Sequence, residues 1–372
     1  HQYDIVSRTP VIPPKMLKDA KNLTSVTKEF FKVCPCPIIA VTGTKGKGTT
    51  ASLITDILRN CGKGVYLVGN IGKPALEVLD KLTPDSLVVY EISSFQLWDM
   101  DQSPHIAVLT MLTEEHPDIH DSMEDYLEDK SNITKHQSKE DLVVYHPSNK
   151  LVQQMAELSP GKKVKFLSNE GANVKQGKIA INEQEICSVD DIKLLGTHNL
   201  ANVAAAVTVS LQYCQDITKI TEAVTNFEAL EHRLEFVEEK QGRKFYNDSY
   251  STAPLATGAA LEAIGSNSIF IMGGYDKKAH FKELADYVMR YKPRHVLLIG
   301  ETADRIAESF KQQGYEDYTI TTEKQLEGIV KQAISFSQQG DSIVLSPACA
   351  SFDMFDNYKQ RGKIFKKIVS KL

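Results

Sequence analysis

The sequence predicts an α/β protein: a phosphate-loop domain with a mostly parallel central sheet, followed by a second doubly wound domain at the C-terminal end. Three observations predict it. Short apolar runs alternate with amphipathic helical runs along most of the 372 residues. One apolar run ends in a glycine-rich turn that leads straight into a helical pattern. A polar joint interrupts the alternation, which then restarts.

Composition bounds the function. Lys+Arg number 43 against 48 Asp+Glu, a net charge of −5, which gives no reason to expect a nucleic-acid partner. With 24% charged and 42% apolar residues, the chain is an ordinary globular one. No apolar run approaches the roughly 20 residues that span a bilayer. The start, His1-Gln2-Tyr3-Asp4, is not the basic opening of a signal peptide. Six cysteines in a chain this long do not make a disulfide framework, and free thiols in a reducing cytosol are expected.

Taken in order, residues 37–43 (PIIAVTG) form a β-rich run ending in glycine. Residues 50–59 follow as a helix with Leu53, Ile54, Ile57 and Leu58 on one face. Buried strands are predicted at 65–68, 86–92 and 106–111, a helix at 123–136, and strands at 142–145 and 164–167. Residues 171–195 alternate over short segments and predict a small antiparallel patch. Residues 196–213 predict a helix whose Ala201, Ala204, Ala205 and Val209 permit close packing. Residues 225–232 have the polar composition of a domain joint. Beyond it, 236–246 predict a hairpin about Lys240-Gln241-Gly242. Strands at 268–273, 295–300 and 341–345 then alternate with helices at 255–264, 281–291, 303–313, 326–338 and 354–371, a Rossmann-like pattern. The expected division is a front segment 1–32, a central nucleotide-binding domain 33–230 and a C-terminal domain 231–372.

The most specific segment is Gly43-Thr44-Lys45-Gly46-Lys47-Gly48-Thr49-Thr50. Its glycines let the backbone curl so that successive N–H groups point at a phosphate. Lys47 supplies a point charge to the β/γ-phosphates, and Thr49 or Thr50 a hydroxyl for Mg²⁺. Glu91, at the end of a buried strand, is placed to ligate Mg²⁺ opposite that loop. Lys130 has Tyr126, Leu127, Ile133 and Thr134 at i−4, i−3, i+3 and i+4, none of them a carboxylate. It either points along a buried face, where a bare ammonium is costly, or snorkels to solvent. Asn199 and Asn202 share a helix face, so both amides can reach one ligand. Ser351 lies in a serine-rich turn at a predicted helix N-terminus, either a carboxylate site or a plain N-cap.

The spacing Gly43-x-x-Gly46-Lys47-Gly48-Thr49 resembles the ATP loop of the Mur ligase family, which includes folylpolyglutamate synthases. These enzymes join an amino acid to a carboxylate through an acyl phosphate. Eight segments, from about residue 11 onward, follow the family's order. Gly69-Asn70-Ile71-Gly72 and Ser93-Ser94-Phe95-Gln96-Leu97 are similar to the branch that adds D-glutamate to UDP-N-acetylmuramoyl-L-alanine in peptidoglycan precursor synthesis. They imply substrate contacts at Asn70, Ser93 and Gln96. Thr113-Glu114-Glu115-His116-Pro117-Asp118-Ile119-His120 resembles a metal-binding segment, with His116 as its ligand and Glu115 where Asp is usual. The resemblance further implies a carbamylated Lys130, and nucleotide contacts at Asn199, Asn202, Arg233 and Asp248. Asn247-Asp248-Ser249-Tyr250-Ser251-Thr252 matches Asn-Asp-Ser-Lys-x-Thr except that Tyr250 replaces the lysine, removing a cation near the phosphates or substrate carboxylates. Thr252, Lys277, Ser351, Phe352 and Tyr358 are implied substrate residues.

The resemblance thus implies a cytoplasmic, monomeric ligase using ATP and Mg²⁺, with a C-terminal domain that closes about a hinge near residue 230. Two alternatives compete. Gly46-Lys47-Gly48 and the short front segment favour a folylpolyglutamate-synthase-like ligase, whereas a non-catalytic nucleotide-binding subunit would need only the phosphate loop. Only 42 residues precede Gly43, and residues 4–10 (DIVSRTP) resemble the end of the family's UDP-binding N-terminal domain. The expectation is therefore a shortened chain that keeps the ATP and D-glutamate machinery without most of the UDP anchor.

Overall fold

The computed structural model describes residues 4–17, 19–112 and 122–372. The chain divides into two compact units, His1–Lys193 with His198–Phe227, and Leu194–Thr197 with Glu228–Leu372.

The first unit opens with a parallel pair, β1 (Val6–Arg8) and β2 (Leu23–Ser25), and α1 (Val26–Val33). Then follow β3 (Ile38–Thr42), α2 (Lys47–Asn60), β4 (Val65–Gly69), β5 (Leu87–Glu91), α3 (Ser94–Leu97), β6 (Ile106–Leu109) and α4 (Met123–Lys135). β7 (Leu142–Tyr145), α5 (Lys150–Glu157) and β8 (Lys162–Lys165) complete a six-stranded parallel sheet of order β4-β5-β3-β6-β7-β8. Every residue of β3 and β5 is buried, which is why these strands read as continuous Val/Ile runs rather than alternating ones. The chain runs from β3 outward to β4 and later crosses to β6 on the other side. The C-terminal end of β3 is thus a switch point, where open α/β sheets bind ligands. The expected antiparallel patch is present as β9 (Asn173–Lys175), β10 (Lys178–Ile181) and β11 (Gln184–Ser188). α6 (Thr197–Ser210) and α7 (Ile217–Asn226) close the unit.

In the second unit, β12 (Glu235–Lys240) and β13 (Arg243–Asn247) form the expected hairpin. α8 (Pro254–Ile264), β14 (Ser268–Gly273), α9 (Lys282–Tyr291), β15 (His295–Ile299), α10 (Ala303–Gln312), β16 (Tyr318–Ile320), α11 (Leu326–Phe336), β17 (Ser342–Leu345) and α12 (Tyr358–Val369) follow. The sheet order is β12-β13-β17-β14-β15-β16, parallel apart from the hairpin. The pleat of β14 sorts its side chains. Phe270 and Met272 pack with Leu284, Val288 and Ile306 on one face, and Ile269 and Ile271 with Ile329, Val330 and Phe365 on the other.

Several expectations are corrected. The last helix starts at Tyr358 rather than 354, because the Asn357 side chain accepts from the Gln360 N–H (3.0 Å) and caps it there. α2 begins at Lys47, inside the glycine-rich loop. The strand expected at 164–167 is Lys162–Lys165. Cys61 and Cys214 are joined in a disulfide, against the expectation of free thiols throughout. α1, α5, α7 and β16 were not legible as elements in the sequence. No helix among the described residues is long and apolar enough to cross a membrane.

Candidate functional site

In the first unit, β3 runs into the loop and α2 leaves it, as the motif requires. Gly43 (φ 149°) lies against Thr110, whose Oγ1 would be 2.0 Å from a Cβ placed on it. Gly46 (φ 83°) is the left-handed residue that turns the chain into α2, and its Cβ would meet Asn202 Oδ1 at 2.3 Å. The Thr44 N–H donates to Met111 O (2.7 Å), and Thr110 Oγ1 donates to the carbonyls of Thr42 (3.0 Å) and Lys45 (2.7 Å). The end of β6 therefore props the loop from outside.

Lys47 sits at the first turn of α2 and donates to the Gly43 and Thr44 carbonyls, both at 3.0 Å. Thr49 is half-buried, whereas Thr50 is fully buried and donates to Asn202 Oδ1 (3.2 Å). Of the two threonine hydroxyls, that of Thr50 is thus committed to Asn202. Asn202 Nδ2 donates to Asn199 Oδ1 (2.9 Å), so the two asparagines of α6 form one amide ladder beside Gly46 and Thr50. Glu91 is buried and pairs in register with Val41, which puts its carboxylate on the strand next to the loop. Gly48 is buried in the first turn of α2 and Lys45 is half-buried in the loop.

Lys130 does not snorkel. It is 2% exposed, and its ammonium donates to Gly43 O (3.3 Å) and Thr42 Oγ1 (3.4 Å) while lying 4.8 Å from the centre of the Tyr126 ring. Tyr126 OH in turn lies 3.2 Å from Thr44 Oγ1. α4 thus reaches the phosphate loop through two side chains. Beside Lys130, burial pushes the Asp129 carboxyl up to about 7, against the Trp98 indole N–H that favours its charge. His116 lies outside the described residues.

Ser93 and Gln96 have a local role. The Ser93 N–H and hydroxyl both donate to Gln96 Oε1 (3.0 and 3.1 Å), a capping box that starts α3. Gln96 Nε2 donates to Tyr90 OH (3.4 Å). Asn70 is exposed just after β4, its N–H bonded to Glu91 O (3.1 Å).

In the second unit, the loops after β13, β14 and β17 meet. Asp248 is buried, accepting from the Leu234 N–H (2.9 Å) and Ser346 Oγ (2.6 Å), and burial raises its carboxyl to about 6. Arg361, a residue with no assigned role in the sequence reading, ties two of these loops together. It is 1% exposed and donates to Ser249 Oγ (2.9 Å), Ser249 O (3.0 Å), Cys349 O (3.1 Å) and Ala350 O (3.4 Å). Burial lowers its guanidinium pKa to about 10. Ala348 holds a left-handed φ of 59° in the same turn, strain that the surrounding bonds maintain.

Ser351 is buried but is no helix cap, since α12 starts seven residues later. Exposed Phe352 packs edge-on against Tyr275 (5.8 Å), with the Lys277 ammonium 5.4 Å from its ring centre. The fold thus brings Lys277, Ser351 and Phe352 to one rim. Arg233, Asp248, Tyr250 and Tyr358 gather at a second cluster, and Thr252 is exposed beside it.

Two family models match this chain: the Mur ligase middle domain over residues 41–210, and the Mur ligase glutamate ligase domain over 232–349. The UDP-N-acetylmuramoylalanine–D-glutamate ligase of Clostridium tetani is 38% identical over 385 residues, covering 100% of this chain and 83% of that one. That of Clostridium kluyveri is 39% identical over 381 residues, covering 99% and 83%. Among solved structures, MurF from Acinetobacter baumannii superposes with a TM-score of 0.71 at 14% identity, covering 93% of this chain and 79% of that one. MurF from Thermotoga maritima, solved in complex with ADP, gives 0.70 at 17% identity, covering 99% and 88%.

Proposed function

The chain belongs to the Mur ligase family, and from that premise we propose that it adds D-glutamate to UDP-N-acetylmuramoyl-L-alanine, driven by ATP, in peptidoglycan precursor synthesis. The observation that carries the reading is Lys130, buried and within 3.4 Å of the phosphate loop. A subunit that only bound nucleotide would need the loop but no lysine behind it.

The chemistry has two steps. The substrate carboxylate attacks the γ-phosphorus of ATP, ADP leaves, and an acyl phosphate forms. The amine of D-glutamate then attacks the acyl carbon, inorganic phosphate leaves, and an amide remains. Both steps bring anions together, so fixed positive charge and N–H dipoles must offset the repulsion. Lys47 and the N–H groups of residues 46–49 supply them at the nucleotide. Asn199, Asn202, Arg233 and Asp248 complete the nucleotide contacts. Lys277, Ser351, Phe352, Tyr358 and Thr252 receive the amino acid, and Asn70, Ser93 and Gln96 the muramoyl substrate.

Thr49 and Glu91 offer the hard oxygen donors that Mg²⁺ prefers and would hold one ion, and the resemblance assigns a second to His116. Bound there, the cation neutralises charge on the transferring phosphoryl group. Carbamylation of Lys130 would keep one N–H donor for Gly43 O and add a carboxylate beside the loop. The same reading makes the protein a cytoplasmic monomer acting on small molecules alone.

The test is ADP release from purified protein. Release that requires both UDP-N-acetylmuramoyl-L-alanine and D-glutamate, and is lost in Lys47→Ala, is expected. Release with L-glutamate and a folate instead would establish the folylpolyglutamate-synthase alternative. Bicarbonate dependence and an intact mass check Lys130.

A further inference from the structure

Tyr250, which stands where the resembling pattern has lysine, has the guanidinium of Arg233 3.8 Å above its ring centre. This stack is built rather than incidental. His232 and Leu234, on either side of Arg233, both hold left-handed backbone, φ 69° and 48°, which non-glycine residues avoid unless their surroundings impose it. The surroundings are hydrogen bonds from the segment that carries Tyr250. His232 Nδ1 lies 2.8 Å from Asn247 Nδ2, the Leu234 N–H donates to Asp248 Oδ1 (2.9 Å), and the Tyr250 N–H donates to His232 O (3.0 Å). The His232 N–H is taken by Glu235 Oε2 (2.9 Å). Both ends of the Arg233 turn are therefore fixed to residues 247–250.

The ring beneath Arg233 is fixed as well. Tyr358 packs edge-on against Tyr250 at 5.1 Å and is itself backed by the buried His232 ring at 5.9 Å. Among the described residues, no carboxylate lies within ion-pair distance of Arg233. Its planar cation is stacked on one face and left available to an anion on the other, the arrangement in which an aromatic shelf cuts the entropy cost of ordering a long side chain.

We propose that Tyr250 is a positioning residue that holds Arg233 ready for the phosphates of ATP, so that the lysine missing at 250 is answered by an ordered arginine. This rests on the ligase reading. An aromatic shelf under a half-exposed arginine is worth roughly a 3- to 30-fold change in affinity.

The experiment compares Tyr250→Phe, Tyr250→Leu, Arg233→Ala and the Leu/Ala double variant of the full chain. It reads KM for ATP and kcat in the D-glutamate reaction, ATP binding by calorimetry, and melting temperature. Tyr250→Phe keeps the ring and is expected to bind ATP within about twofold of the parent. Tyr250→Leu is expected to raise KM for ATP roughly 3- to 30-fold with kcat and melting temperature held. The double variant is expected to bind no worse than Arg233→Ala. Unchanged ATP binding in Tyr250→Leu, or a leucine penalty that persists without Arg233, overturns the proposal. If Tyr250→Leu does not fold, Arg233→Lys, which keeps charge but not the stacking plane, must show the same rise, and parent-like binding there overturns it. A parent protein with no D-glutamate-dependent ADP release would instead sink the ligase reading.

Discussion

Replacing Arg361 with methionine isolates what one buried cation does for the second unit. The side chains are similar in length and the site is closed to solvent, so no water replaces the lost donors. Two carbonyls, Ser249 O and Cys349 O, lose their only donor among the described residues, whereas Ala350 O keeps the Tyr275 N–H (2.9 Å) and Ser249 Oγ keeps its bond to Tyr358 O (2.8 Å). At about 2 kcal/mol for each buried carbonyl left unpaired, the gross loss is about 4 kcal/mol. Methionine recovers some of the desolvation cost that holds the guanidinium pKa down, leaving a net loss of about 3 kcal/mol. The chain supplies its own control. Its single tryptophan, Trp98, lies in the first unit, so indole fluorescence follows that unit while far-UV circular dichroism also follows the second. In urea, Arg361→Met should move the dichroism transition of the second unit to lower denaturant and leave the Trp98 transition in place. Because Ser351 and Phe352 follow the tied carbonyls directly, KM for D-glutamate should rise in the folded variant. A loss below about 1 kcal/mol would mean the loops after β13 and β17 hold each other without the arginine, and would refute the reasoning.

Three further outcomes are expected. Gly46→Ala places a Cβ 2.3 Å from Asn202 Oδ1 at φ 83°, and should weaken ATP binding at least about tenfold by calorimetry, since left-handed alanine alone costs roughly 1–2 kcal/mol. Burial raises the Asp129 carboxyl from its ordinary value near 3.8 to about 7, so its protonated form contributes stability that is complete below pH 3.8 and lost as pH rises through 7. Asp129→Asn should therefore flatten the decline in urea midpoint between pH 5 and pH 8, by on the order of 1–2 kcal/mol after solvent screening; an unchanged profile would count against it. Reducing Cys61–Cys214 opens a 153-residue loop, for which chain entropy sets a limit of about 5 kcal/mol. Dithiothreitol should lower the Trp98 midpoint of the parent but not of Cys214→Ser.

Much of this was readable from local pattern. Residues 37–43 announce a buried strand and glycine turn because both are local matters of side-chain shape and φ. Lys130 announced burial through its helical neighbours. The misses share a different cause. α12 starts late because one asparagine cap outweighs the apolar rhythm from Met354 onward. Arg361 and the Thr50–Asn202 bond depend on partners more than a hundred residues away, and the Cys61–Cys214 pairing does too. No periodicity encodes such meetings, because only the packed sheet decides which distant loops share an end.

The wall of the phosphate loop has a consequence for synthesis. Thr50 waits for Asn202, 152 positions later, and Cys61 waits for Cys214, 153 positions later. At roughly 5–20 residues per second, translation separates those partners by about 8–30 s. During that interval the nascent chain carries a complete glycine loop with one side missing. Nucleotide capture therefore follows completion of α6, and a ribosome stalled before that codon would display the motif without the site.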